Sequence, residues 1–359
     1  MQFSCLISLY LPQMSLHVKY CQIYLFFLCM VTLFSCKQDK RPDVSHINLD
    51  VRILRFDRDL FAGQAKPVEQ TDASLRQKYG NFYNDYINRV VGNGNISGPD
   101  ILRVLYKDQA YQDLNHDADS VFKDLRPIEE DLSQAFKYIS YYYPNTHVPK
   151  FIGFVSGFEV QTPIGDNYMG VGLDMFLGKN SRFYGAIVQN VPRYISRRFS
   201  PEYVVPRLTE TFAREELFPE RDEDRTLLSK MVQNGKILYF MDQVLDPAVP
   251  DSVKIGYTDQ QLGWCKAFEG NIWGYFMEND LLFNTDYQKI QVFLTEGPFT
   301  PGLGEKKESA PKLGVWMGWQ IVRKYMEENP NITLQQLMAE RDAEKILRAS
   351  GYKPKIINR

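Results

Sequence analysis

Histidine is scarce in this chain of 359 residues: only His17, His46, His116 and His147 occur. No two are four positions apart, so no helix presents the histidine pair of a zinc-peptidase helix. There is no G-x-S-x-G elbow, no phosphate-binding loop and no dinucleotide glycine set. Positive charge is not in excess either. The 42 Lys and Arg stand against 44 Asp and Glu, which argues against a nucleic-acid partner, whose footprint is basic. No apolar run reaches the roughly 20 residues of a transmembrane helix. Five cysteines occur, Cys5, Cys21, Cys29, Cys36 and Cys265, and their positions rule out a disulfide scaffold once the N-terminus is understood.

That N-terminus is the clearest signal present. Residues 21–34 (CQIYLFFLCMVTLF) form an apolar run of signal-peptide length, preceded by His17 and Lys19. It ends in Leu33-Phe34-Ser35-Cys36, followed at once by polar KQDKRPD. This resembles the lipobox of bacterial lipoproteins, with Phe34 larger than the usual occupant of its position. Such a signal has normal proportions if it begins at Met14. The expectation is export, cleavage before Cys36, and lipid on Cys36 holding the protein to a membrane. Three cysteines then leave with the signal, one carries lipid, and Cys265 is left alone. Several acyl chains give stable anchoring where one is marginal. The Lys37-Gln38-Asp39 sequence after the anchor carries no dense acidic surface-export signal, so a periplasm-facing protein is expected.

The expected organisation is a signal at 1–35, a lipid-bearing linker at 36–50, a helical region at 51–147 and an α+β region at 148–356, the last two forming one continuous domain. Aromatics make up 14% of the residues, which favours a large aromatic core or an aromatic surface. A helix is predicted over 99–107. Another is predicted within 119–142, where Val121, Leu125, Ile128, Leu132, Phe136 and Ile139 form one stripe and Pro127 starts or kinks the helix. Residues 148–160 and 168–173 are short, β-prone and glycine-punctuated, with 163–167 as the turn between strands. Further helices are predicted over 223–245, from a capping box at Thr258 through Cys265, Glu269 and Phe276, over 314–328, and after Thr333. Ser200 before Pro201 reads as a helix cap. The fold class is α+β, predominantly helical, with a small sheet.

Few residues are candidates for chemistry. Glu269 falls on an apolar helix stripe, so its carboxylate should point inward and be paired, hydrogen-bonded or protonated. Asp174 follows directly on a strand. The cluster Asp113, His116, Asp117 and Asp119 reads as a solvated acidic loop or helix start. Arg193, Arg197 and Arg198 read as a solvated basic face. Gly314 and Gly318, one turn apart between tryptophans, read as a close helix-packing seam.

Long strings in the C-terminal half resemble gliding-motility lipoproteins of the GldB type: GVGLDMFLG (170–178), RRFSPEYVVPR (197–207), TLLSKMVQNGKILYFMDQVL (226–245), IGYTDQQLGWC (255–265), IWGYF (272–276) and LGVWMGWQIVRKYM (313–326). The resemblance implies a role in gliding motility beside other envelope proteins. The element order is also similar to zincin metallopeptidases, in which an H-E-x-x-H helix precedes a helix bearing the third zinc ligand. In that frame Glu210 stands between Thr209 and Ala213, where histidines would be, and Leu238 replaces the third ligand. The resemblance therefore implies a zincin-like scaffold without metal or cofactor. Three readings stay open: a non-catalytic envelope assembly component, an atypical hydrolase using Glu210, Glu269 and Asp174, and a ligand carrier with an aromatic pocket. Convergence of the three carboxylates in one cleft is what the hydrolase requires. Replacing Cys36 by Ser is expected to abolish fatty-acid labelling and move the protein from the detergent-extracted membrane fraction to the soluble one, as fractionation and blotting would read.

Overall fold

The computed structural model describes residues 41–356, apart from 93, 188–190, 222, 224 and 305–307. The export segment and Cys36 lie outside the described residues. The chain divides into two units, 1–43 and 44–359, and the second holds the elements that follow. Val44 is buried, and Ile47 and Leu49 pack against the core. Residues 44–50 therefore belong to the folded body, not to the expected linker, because their apolar side chains find a place in it.

Counting helices of six residues or more, the order is β1 (Ile53–Arg55), α1 (Phe56–Ala62), α2 (Val68–Tyr79), α3 (Gly98–Lys107), α4 (Gln109–Val121), α5 (Arg126–Tyr142), β2 (Lys150–Phe154), β3 (Ile164–Gly165), β4 (Tyr168–Gly172), α6 (Val204–Phe212), α7 (Leu227–Val244), α8 (Asp259–Ala267), α9 (Glu269–Glu278), α10 (Leu313–Glu328), α11 (Leu334–Ala339) and α12 (Ala343–Ser350). The fold is α+β and mostly helical, with one small mixed sheet. Among the described residues no helix is long and apolar enough to cross a membrane.

The sheet runs β1-β2-β4-β3. β1, β2 and β4 are parallel, and β3 is antiparallel to β4, with Phe151 opposite Met169 and Ile164 opposite Met169. This corrects the expected topology. Residues 164–165 of the expected turn form β3, and 166–167 turn it into β4, while the strand at 150–154 is a parallel neighbour that needs a crossover to reach β4. β1, hidden in the sequence by its three-residue length, was not expected at all. β4 is buried along its whole length, as strands covered on both faces are. Side chains alternate between the two faces. Phe154 and Tyr168 meet Phe82 on one face. Phe151 meets Phe136 of α5 on the other, and Phe136 meets Phe212 of α6. The aromatic surplus is thus largely a core. At the β1 edge the backbone N–H groups of Val51 and Ile53 donate to Ser133 Oγ and Glu129 Oε1 of α5, both at 2.8 Å, so side chains occupy the donors another strand would use.

Several helix expectations need adjusting. α5 begins at Arg126 with Pro127 in its first turn, where a missing N–H costs nothing, so the proline starts the helix and does not kink it. Asp113, His116, Asp117 and Asp119 lie within α4 and not in a loop. Asp117 pairs with Arg182, and Asp119 with Arg55 and Arg58. The helix expected to run from Thr258 through Phe276 breaks at Phe268 into α8 and α9. The capping boxes at Thr258 and Thr333 are both formed. Ser200 makes no cap; its Oγ accepts instead from the backbone N–H of Lys179 at 2.9 Å.

The main helix pair is α7 against α10. A Cβ on Gly318 would lie 1.8 Å from the carbonyl oxygen of Met231, and one on Gly235 would lie 2.3 Å from the carbonyl carbon of Gly318. The two backbones touch, and both Trp316 and Trp319 are buried around the crossing. Gly263 in α8, by contrast, faces open space. Gly318→Ala is expected to cost about 3 kcal/mol or more in urea unfolding, since backbone cannot yield as a side-chain end does, whereas Gly263→Ala should stabilise by about 0.5–1 kcal/mol.

Candidate functional site

α6 sets Arg207 and Glu210 one turn apart, and Arg214 follows in the π-helical turn Ala213–Leu217 that continues it. Side chains at these spacings share a helix face. Arg207 Nη1 donates to Glu210 Oε2 at 2.7 Å, and Arg214 Nε donates to Glu210 Oε1 at 2.9 Å. α7 faces this cluster with Asn234 and Leu238. Arg214 Nη2 donates to Asn234 Oδ1 at 3.0 Å. Lys312, just before α10, and Glu296 complete the wall. Lys312 Nζ lies 2.5 Å from Glu296 Oε1, and Arg198 Nη1 bonds the same oxygen at 2.9 Å. Between them is a cavity of about 150 Å³ lined by Glu210, Arg214, Asn234, Leu238, Glu296 and Lys312, among others.

Electrostatics fixes the protonation states here. Burial alone would raise the Glu210 carboxyl, but Arg207, Arg214 and Lys312 overcome it and hold the group down at about 2. Glu296 is likewise held low against burial, by Lys312 and Arg198. Lys312 is pushed down by burial, with Glu296 and Glu210 opposing. A carboxylate this acidic, with both oxygens already accepting from arginine, is a poor proton acceptor at neutral pH.

The other two candidate carboxylates are elsewhere. Asp174 is fully buried and accepts from Ser156 N at 3.0 Å, from Ser156 Oγ and from Phe158 N at 2.7 Å. It staples the crossover after β2, in which Gly157 and Phe158 both have left-handed backbone, φ 74° and 69°. Burial raises its pKa against those hydrogen bonds. Glu269 opens α9 and is only half-buried; its Oε1 accepts from Tyr352 Oη at 2.5 Å. The expected hydrogen-bonded Glu269 carboxylate is thus met by Tyr352; its expected place on a continuous helix stripe is not, because the helix breaks one residue before it. Asp174, Glu210 and Glu269 share no partner, so the convergence a three-carboxylate hydrolase requires does not occur. Among the described residues no group of three or more His, Cys, Asp or Glu side chains is placed to hold a metal ion. A larger groove of about 650 Å³ beside α7 carries Glu340, Asp342 and Glu344 along with Tyr143 and Phe218, unlike the carboxylate-free aromatic pocket of a carrier.

The model of the gliding motility protein GldB family matches residues 37–354. The chain belongs to the GldB family. Membership carries a role in gliding motility. No curated protein and no solved structure matches the chain. Against this family assignment, sequence reasoning found Glu210 but missed the three cations around it, Arg207, Arg214 and Lys312. The spacing of Arg207, Glu210 and Arg214 was a readable signal. Lys312 and Glu296 were not, being brought in from about a hundred residues away by the fold. Arg198, expected on a solvated face with Arg197, is turned inward to Glu296, and Arg197 Nη2 donates to the Gly256 carbonyl at 2.6 Å.

Because Glu210 is more acidic in the folded state than a free glutamate, it stabilises the fold fully above its ordinary pKa near 4.5, and loses that contribution as pH falls toward about 2. Glu210→Gln is expected to cost up to about 3 kcal/mol at pH 7, and more than half of the difference from wild type should be gone by about pH 3 in paired urea titrations. Asp174→Asn should cost about 2 kcal/mol at pH 7, because an amide nitrogen cannot accept from the Phe158 N–H.

Proposed function

We propose that this GldB-family chain is a lipid-anchored, periplasm-facing component of the gliding machinery that acts by binding and assembly, not by catalysis. Its framework is zincin-like with the zinc ligands lost. The observation that carries this reading is that Glu210 and Leu238, assigned from sequence to two different zincin motifs, line one cavity. In an active zincin those positions serve as the proton acceptor and a zinc ligand. Here Leu238 offers no donor atom, Thr209 and Ala213 replace histidines, and Glu210 is clamped by two arginines. Fold likeness alone does not establish an activity, and this site lacks the groups for one. The partners expected are other envelope proteins of the machinery, reached from the membrane that holds the lipid on Cys36.

Metal analysis of the mature protein, purified without metal-binding tags, tests the reading directly. Substoichiometric zinc, no change in Tm on adding zinc, and no peptidase activity are expected. Near-stoichiometric zinc together with activity that Glu210→Gln abolishes would overturn it. In cells lacking the protein, Glu210→Gln should restore spreading on agar wherever it accumulates to wild-type level, while a variant that cannot be lipidated should not.

A further inference from the structure

We propose that the cavity beside Glu210 is a binding site for a small oxyanion, a carboxylate or phosphate group, held between Arg214 and Lys312. The first support is charge. Glu210 is bonded by Arg207 and Arg214, and Glu296 by Arg198 and Lys312, so two carboxylates face four cations. Among the described residues, two of these positive charges are left without a counter-ion of their own. The neighbouring Lys254 does not add to the surplus, because it and Arg323 are matched by Asp242 and Asp251.

The second support is the inventory of donors. Arg214 uses Nε on Glu210 and Nη2 on Asn234, and among the described residues Nη1 has no partner. Lys312 has three N–H bonds and directs one at Glu296. A guanidinium and an ammonium lining one small space suit a carboxylate or phosphate, which takes charge-assisted bonds from both. Lys312 also holds a left-handed backbone, φ 41° and ψ 47°, which a lysine adopts only where its surroundings demand it.

The third is size and access. About 150 Å³ accommodates roughly five waters. That is room for an oxyanion and not for a nucleotide or a sugar chain. The side chain of Lys312 is 13% exposed and that of Arg214 34%, so the site is half-enclosed and reachable. Leu238, Ile255, Leu294 and Val315 supply the apolar part of the wall, where water finds no competing partner, and Lys254 lines it as well. Lys312 and Val315 also place the start of the 16-residue α10 at the cavity, adding the positive end of a helix to the surplus already counted.

The experiment is calorimetric titration of the full-length protein in detergent with inorganic phosphate and, separately, sodium acetate, at ionic strength held constant with sodium chloride. Saturable binding at one site is expected, with a Kd on the order of 1 mM or tighter for at least one of the two ions. Lys312→Met and Arg214→Met should each weaken it at least about tenfold, and Lys266→Met, outside the cavity, should leave it unchanged. If either cavity variant fails to fold, the other, together with phosphorus NMR line broadening on wild type, carries the test. Flat isotherms for both ions overturn the assignment, and so does binding that survives both cavity variants. Which ion binds more tightly sets the class of group the site takes. Discovery of bound zinc and peptidase activity would sink the functional reading above and leave this titration to stand or fall by itself.

Discussion

Helices α7 and α10 meet where neither has a side chain, Gly235 against Gly318, and much of the molecule is arranged by that crossing. With backbones in contact, the residues one turn either side are drawn into close register. Towards the start of α10 this brings Lys312 and Val315 into one cavity with Asn234 and Leu238. Beyond the crossing it sets Trp319 Nε1 2.9 Å from Asp242 Oδ2, with the Arg323 guanidinium 3.8 Å from the Trp319 ring centroid and bonded to Asp242 and Asp251. A larger interhelical distance would separate both sets of charges from their partners, and charges left buried without partners are costly.

The two ionic groups on either side of that crossing have different character. Around Asp242 and Asp251 the charges balance, and an aromatic face shields them. Around Glu210 and Glu296 they do not balance among the described residues, and the surplus is positive. Both carboxylates there are kept ionised by cations on the α6 segment, before it and at the start of α10. A carboxylate held ionised well below neutrality is a poor proton acceptor, yet it fixes its arginines in place. What remains is a preorganised set of donors, suited to recognition.

Much of this architecture was legible in the sequence. Long helices announced themselves by their apolar stripes, one capping box by Thr258 with glutamine three residues on, and the glycine seam by its one-turn spacing. What was not legible has identifiable causes. β1 is three residues long and acquires its strand character only by pairing with β2. The crossover after β2 looked like a continuous β-prone run, because Gly157 and Phe158 are turned left-handed by Asp174, a tertiary partner 16 residues beyond Phe158. The α8–α9 break has no proline or glycine at Phe268 to mark it. At the cavity, Glu210 was found by its motif frame, and its arginines lay within reach of helix spacing. Lys312 and Arg198 could be placed only by the fold, since Arg198 follows two residues usually read as a solvated basic surface.

The burial of Val44 has a geometric consequence for where this protein can work. With lipid on Cys36, only seven residues, 37–43, separate the anchor from the first core residue. Fully extended they span about 25 Å. Under the anchoring proposed above, the body would be leashed close to the bilayer surface, like a buoy on a short chain. It would swivel over a small disc of membrane and could not cross the space between two membranes. Its encounters would then be confined to a thin layer, where a partner must itself stand on, or reach down to, the same lipid surface.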